Sequence, residues 1–515
     1  MARTPDLVTV IEIDTWDGAA IDTLRLSDVG PVIGTPAEPR LYAPIEIGSR
    51  IIADQYGDVL PTVGSNGGSL DFALARGRVG ATAEVADPET WAWLDRQWTG
   101  RAVRAYAGAR GDNFEDYDLS YTGRVDDLTH DTLRATVKLA AASIDLDDVL
   151  VSVLYPKDDT AFPKTIQGRP EPELRGQANN VDPILLTDSE LGAPLTYQIS
   201  RLPLDDILEV RVGGIPWDRV AAYPGPLAGQ WTPDLANGKF TLGGITGGLD
   251  VRCDARGIGW ETMTTAQLFT DLVTEGGGVV DTEAMTQLDI DAPYLVGWWT
   301  GTEEINRLTA LDEIMTSVFG WWGDGVDGTI AAGVLDVPPE VADGLLPDDA
   351  SDDEIFAALS ELTDVTLTTV EIASIQLTKL LPPAWRIRVE HSRNWSPLSS
   401  FADAVIETDK QRWEDPGVIA EAWSDETIKT DEPRAIDMPL IRSLVLNEDD
   451  ALEIRDRAAL VFGVPRRIYE CKAWIDVPDL YSTAAIDYMM VFGAFRFHGV
   501  VHSFGGGPTT LQMWG

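Results

Sequence analysis

Two textures of apolar and polar positions divide the chain. From the start to about Pro156, apolar residues recur at every second position, as in Leu7-Val-Thr-Val-Ile-Glu-Ile13, Ala102-Val-Arg-Ala-Tyr106 and Leu133-Arg-Ala-Thr-Val-Lys-Leu139, with Gly, Asp and Asn clusters between the runs. Period two sends successive side chains to opposite faces, so these runs predict an antiparallel β region. One helical stretch interrupts it, reaching about Gln97, with Asp87 at the N-cap, Pro88 in the first turn and Trp91 and Trp93 inside. The alternation resumes from Gly168 to about Arg256 in Thr196–Ser200, Leu208–Val212 and Lys239–Leu242, divided by Gly213-Gly214 and other Gly and Pro turns.

The middle follows the helical period. Thr264 or Thr265 caps a helix through Val273, with Leu268, Phe269, Leu272 and Val273 on one face and a stop at Gly276-Gly-Gly278. After Thr302, the residues Ile305, Leu308, Leu311, Met315 and Val318 form a second apolar stripe, with Glu303 and Glu304 at the end that the helix dipole favours for acids. The turn Gly320-Trp-Trp-Gly-Asp-Gly-Val-Asp-Gly328, a strand from Thr329 to Val337 and a helix over Asp353 to Leu362, capped by Ser351 or Asp352, come next. From Thr366 strands return, among them Trp385–Glu390, and Asn447 caps a helix through Val461 that stops at Gly463 before Pro465. Strands over Arg467–Ile475, Tyr488–Phe497 and Leu511–Trp514 end the pattern. The expected fold is mainly β with α insertions, a multi-domain α+β chain. Its expected units are an N-terminal β domain over 1–165, a second β domain over 166–256, a helical acidic insert over 257–365 and a C-terminal β domain with one inserted helix over 366–515.

Composition narrows the function classes. The chain has 515 residues, 44% hydrophobic and 24% charged, which is globular and sufficient for several cores. Against 39 basic residues stand 84 acidic ones, a formal charge of −45. Such a surface repels nucleic-acid backbones and anionic lipids within a Debye length of about 8 to 10 Å. No apolar run reaches the ~18 residues that span a bilayer, and Met1 to Asp14 has no basic segment followed by an apolar one, so stable membrane insertion and export are not expected. Cys253 and Cys471 lie far apart, which fits burial or a reducing compartment better than a disulfide scaffold, and four histidines make a His-dependent or zinc site improbable. The charge is uneven: between Gly257 and Thr378 there are 24 acids and one base, Arg307.

Chemical motifs are sparse. Gly323, Gly325 and Gly328 match Gly-x-Gly-x-x-Gly, but a dinucleotide site needs a strand before the glycines and a helix after, and here the order is reversed. His498 and His502 share a face without a third ligand, and the acidic runs Asp348–Glu354 and Asp205-Asp206 lack the order of a calcium loop. Indole faces stack on sugars, so Trp298, Trp299, Trp321 and Trp322, inside the acidic block, are candidate surface or interface aromatics; filling a core is their alternative role. No catalytic residue, metal ligand or cofactor follows from these patterns, and the chain is not expected to be an enzyme.

One stretch has a specific order: Gly168-Arg169-Pro170-Glu-Pro172, then Gly176, then Asn179-Asn180-Val-Asp-Pro183, then Leu195-Thr-Tyr197-Gln198-Ile, then Val210-Arg-Val-Gly-Gly-Ile-Pro216. It resembles a segment of tail tip, or baseplate, hub proteins of phages with long non-contractile tails. Similar features flank it: Gly67-Gly-Ser-Leu-Asp71, Gly100-Arg-Ala-Val-Arg104, Phe319-Gly-Trp-Trp322 with Asp327-Gly328, Asp450-Ala-Leu before Arg467-Ile-Tyr469, and the ending Leu511-Gln-Met-Trp-Gly515. The resemblance implies β-barrel or β-sandwich hub domains and a homotrimer at the distal end of the tail, made in the host cytoplasm and carried in the virion. It implies contacts with a distal tail protein, a tape measure protein and a central spike or fibre, around a lumen through which DNA passes without specific binding. The alternatives are a six-fold distal tail adaptor and a virion-borne protein that binds or hydrolyses cell-envelope glycans.

Overall fold

A computed structural model of the chain describes residues 7–27, 43–44, 69–73, 76–79, 83–86, 94–109, 114–130, 134–159, 161–187, 194–221, 227–341, 350–475, 482–489, 491–501 and 508–515. The fold is mainly β with α insertions, spread over several sheets. The cap and first turn of the helix expected up to Gln97, the side chains of His498 and His502, and Asp348 and Asp349 fall outside the described residues.

The first unit is a seven-stranded sheet. Leu7–Trp16 pairs with Ile21–Ser27 on one side and Ala102–Ala109 on the other, followed by Asp118–His130, Arg134–Ala141 and Ser69–Ala73, while Ala43–Pro44 forms the opposite edge. Alternation places Ile11 and Ile13 in the main core with Val103, Tyr121 and Val137, and Val8 and Val10 in a small second core with Tyr117. Closure into a barrel would require the two edge strands to pair. Among the described residues they do not, so this unit is an open sheet.

The second unit has two five-stranded sheets around one core that includes Leu174, Val181, Trp231, Phe240 and Cys253. The first runs Ile215–Pro216, Leu204–Val212, Val251–Gly257, Leu174–Val181, and takes its fifth strand, Gly297–Trp299, from beyond position 257. The other orders Ile184–Leu185, Leu195–Gln198, Lys239–Leu242, Gln230–Asp234 and Asp218–Arg219.

Seven helices lie among the described residues: α1 (Thr265–Glu275), α2 (Thr282–Asp291), α3 (Arg307–Ser317), α4 (Asp352–Leu362), α5 (Glu407–Glu414), α6 (Glu426–Asp431) and α7 (Glu448–Phe462). The caps of α1, α4 and α7 are Thr264, Ser351 with a full capping box to Glu354, and Asn447. Helix α3 starts later than its apolar stripe suggests, because Asn306 takes the cap by accepting from Leu308 N, leaving Glu303 and Glu304 outside. Helix α2 escapes the periodicity because it buries only Met285 and Leu288. The expected strand Tyr488–Phe497 is instead the meeting of two, Thr483–Tyr488 and Val491–Val501, which turn around a left-handed Met489.

One large core joins α1, α2, α3 and α7 to Ala384, Ile387, Val389, Ile441 and Val445, so residues on both sides of position 366 share it. The last sheet has its own core and the order Val365–Leu367, Thr483–Tyr488, Val491–Val501, Thr509–Trp514, Arg466–Ala473, Ile372–Leu381. The glycines at 323, 325 and 328 sit in or beside the hairpin formed by Gly320–Asp324 and Ile330–Val334, as turn residues. Among the described residues, no helix is long and apolar enough to cross a membrane.

Candidate functional site

The motif segment forms the seams between units. Its first part clasps the preceding linker: Gly168 N donates to Tyr155 O and Tyr155 N to Arg169 O, both at 2.9 Å, and Leu154 bridges Pro170. The Tyr155 hydroxyl donates to Gln198 Oε1 at 3.0 Å, and Gln198 Nε2 reaches Glu171 at 3.3 Å. Burial pushes the Tyr155 hydroxyl well above its ordinary pKa and Tyr197 up to about 12, so both stay protonated and neutral.

Gly176 fixes the next seam. Its φ is +68°, and a Cβ there would lie 2.0 Å from Val296 O. Across the ladder, a Cβ on Gly297 would lie 1.6 Å from Gln177 O. Two side-chain-free positions therefore let Gly297–Trp299 join the sheet. Beside them Arg175 holds Glu275 with two bonds at 2.9 and 2.7 Å and Glu173 with one at 2.9 Å, while Arg201 Nε donates to Glu173 at 2.6 Å. Thr300 exchanges hydrogen bonds with the Glu173 backbone at 2.9 and 3.1 Å.

Asn180 is the centre of the third seam. It is fully buried with φ +53°, a conformation that asparagine tolerates better than most residues. Its amide N donates to Asp254 Oδ1 at 2.6 Å, and its Nδ2 donates to Asn394 Oδ1 at 2.7 Å and Ser396 O at 2.9 Å. Its Oδ1 accepts from Arg211 Nη2 at 3.2 Å. Arg211 is buried as well, grips Asp254 with both terminal nitrogens, contacts Glu209, and stacks on Trp413 with its guanidinium carbon 3.7 Å from the ring centre. Asn394 Nδ2 continues the network to Trp413 O and Asp415 O, and Arg252 ties Asp182 at 2.7 Å to Ser396 O at 2.9 Å. Pro183 follows this cluster and directly precedes the strand Ile184–Leu185.

Sequence reasoning misses most of this seam. In Leu208-Glu-Val-Arg-Val212 the alternation assigns Arg211 to a solvent face, yet the segment 394–416 covers that face. The available signal is the charge alternation on the two antiparallel strands: Glu209 stands opposite Asp254 and Arg211 opposite Arg252, and the charges are matched diagonally, Arg211 to Asp254.

The tryptophan candidates are mostly inside. Trp298, Trp299 and Trp322 are buried and Trp321 is half-buried, so of the surface, interface and core roles open to these indoles the buried three take the core one. The cause is layering: Trp298 and Trp299 meet Trp395 edge-on at 5.7 and 6.5 Å, and Trp299 Nε1 donates to Ile199 O at 2.9 Å. Trp322 Nε1 donates to Asp312 at 2.9 Å, and burial pushes that carboxyl up to about 6. The Asp205-Asp206 pair is likewise engaged, Asp206 with Arg219 at 2.6 Å and Asp205 with Trp260 Nε1 at 3.2 Å.

Neither a protein-family model nor a curated protein sequence matches the chain. Solved structures similar to it include the 43 kDa tail protein of prophage MuSo2 from Shewanella oneidensis, at 10% identity and TM-score 0.38 over 98% of both chains. Prophage tail protein gp18 from Listeria monocytogenes EGD-e aligns at 7% identity and TM-score 0.38 over 98% of this chain and 94% of that one. A chain of a native gene transfer agent virion aligns at 10% and 0.43 over 72% and 92%. Likenesses this loose carry no argument about what this chain does.

Proposed function

We propose that the chain is a non-enzymatic structural component of a phage tail tip: a hub, trimeric around the genome channel, that joins the tail tube and distal tail ring to a central spike or fibre. The observation that carries this reading is the ordered motif run from Gly168 to Pro216 together with its use. Gly176, Asn180 and Gln198 spend their chemistry on holding units to one another, as a load-transmitting part requires. The buried indoles of Trp298, Trp299 and Trp322 leave no face for a sugar ring, which disfavours the glycan alternative. The net charge fits a channel wall that DNA passes without adhering, since like charges repel within a few ångströms.

Immunogold labelling of purified particles with antibody against the chain tests the placement. Gold confined to the distal end of the tail is expected. Particles free of the chain, or label on capsid or along the tube, would remove the proposal. Clearing of host cell-envelope preparations by the purified chain would favour the hydrolase instead.

A further inference from the structure

The short strand Val389–His391 lies between Val418–Ile419 and Ile441–Arg442 and packs against α7. His391, at its end, is buried. Its Nδ1 lies 3.0 Å from Ser392 Oγ, which lies 2.7 Å from Leu446 O. A carbonyl oxygen can only accept, so the serine proton belongs to Leu446 O and the serine oxygen accepts from His391 Nδ1–H. This chain of bonds fixes the tautomer and leaves the lone pair on Nε2. That nitrogen is closed to solvent and, among the described residues, meets no hydrogen-bond partner. Ser392 makes its contacts with φ +49°, a left-handed conformation that serine seldom adopts.

These bonds close on a junction. Ser392 N donates to Val445 O at 2.9 Å, Val445 bridges Val296 beside the added strand Gly297–Trp299, and Leu446 directly precedes Asn447, the cap of α7. A few residues on, Trp395 N and Ser396 N donate to Asn179 O and Asn180 O, so the segment 391–396 ties the entry of α7 to the motif strand. The charges around the ring are few. Val418–Ile419 sets Val418 opposite His391 and brings no titratable group. Arg442 stands beside Glu390, whose side chain takes the other face of the strand with Arg393 and Asp415 near it, and Arg393 is paired with Glu313 of α3. Helix α7 brings Glu448, Asp449 and Asp450 in its first turn. Burial holds the His391 pKa below its ordinary 6.5, against the opposing pull of Glu448. We propose that His391, Ser392 and Leu446 form a proton-sensitive latch on the entry of α7, closed by the neutral imidazole and opened by a proton on Nε2. That proton would bury a charged donor without an acceptor, whereas in the released form the ring meets water. As pH falls through about 6.5 the released form takes the proton first, and the latch weakens until the pH reaches the lower value of the closed form.

Hydrogen exchange on the full chain at pH about 7.5 and about 5.5, read as protection factors of Ser392 N, Trp395 N and Ser396 N, tests it. In wild type these amides are expected to lose protection by about threefold or more at the lower pH, with Leu7–Trp16 unchanged. H391N puts an amide nitrogen in the place of Nδ1, so it donates to Ser392 without titrating, and is expected to hold its protection across the same range. Asp312 changes in the opposite sense with acid and does so equally in both chains. Titration of the His391 ring in wild type by NMR needs no variant, and its midpoint is expected below 6.5. Wild-type protection that is the same at both pH values, an equal loss in H391N, or a ring that titrates at or above 6.5 overturns the latch. If H391N does not fold, the ring titration together with wild-type exchange decides.

Discussion

Replacing Asn180 by alanine tests whether the motif holds the seam. The substitution removes three side-chain hydrogen bonds, to Asn394, Ser396 O and Arg211, inside a site closed to water. At about 1 kcal/mol each, with Asn394 Oδ1 and Ser396 O each losing a buried donor, the loss is about 3 kcal/mol. Alanine at φ +53° adds about 1 kcal/mol of backbone strain. N180A is therefore expected to destabilise by about 3–5 kcal/mol, and N180G, which keeps the hydrogen-bond loss but relieves the strain, by about 1 kcal/mol less. In a chain with several cores one unfolding midpoint is not a single equilibrium, so hydrogen exchange is the better assay. Trp395 N and Ser396 N donate to Asn179 O and Asn180 O across this seam, and their protection is expected to fall in both variants while that of Leu7–Trp16 is unchanged. Unchanged exchange at 394–396, or N180A within about 0.5 kcal/mol of wild type, would show that the seam does not depend on Asn180.

Gly176→Ala places a Cβ 2.0 Å from Val296 O at a positive φ, and is expected to cost about 3 kcal/mol or more, read as a large drop in melting temperature by circular dichroism. Tyr155→Phe removes the hydrogen bond to Gln198 and is expected to cost about 1 kcal/mol in urea unfolding, with the linker 151–156 exchanging faster. Asp312 has its carboxyl raised by burial from 3.8 to about 6, so the stability it permits is present below about pH 4 and lost as pH rises through about 6. The displacement corresponds to about 3 kcal/mol, reduced to about 1–2 by solvent at its exposed side. D312N keeps an acceptor for Trp322, so it is expected to match wild type near pH 4 and to melt higher at pH 7 to 8.

Local signals in the sequence transmit well and distant ones do not. Thr264, Ser351 and Asn447 cap their helices because capping is settled within three or four residues. Likewise Leu7–Trp16, Ala102–Ala109 and Arg134–Ala141 are strands whose period-two pattern records a two-faced environment. Helices α5 and α6 stay hidden because α5 buries only Trp413 and α6 buries nothing, so neither writes a stripe. The motif residues are visible as an ordered string, but their partners are not: Asn180 meets Asn394 across 214 residues, and nothing local to either announces the other. The same remoteness explains Trp298 and Trp299, whose aromatic neighbour Trp395 arrives from the C-terminal third.

The central claim is that this chain is the hub of a tail tip, and the rotational symmetry of its density in an imaged particle tests that most directly. Three copies in a ring immediately below the last ring of the tail tube are the expected result. Six copies in a ring around the tube end would make it the distal adaptor, and its absence from that position would contradict the account.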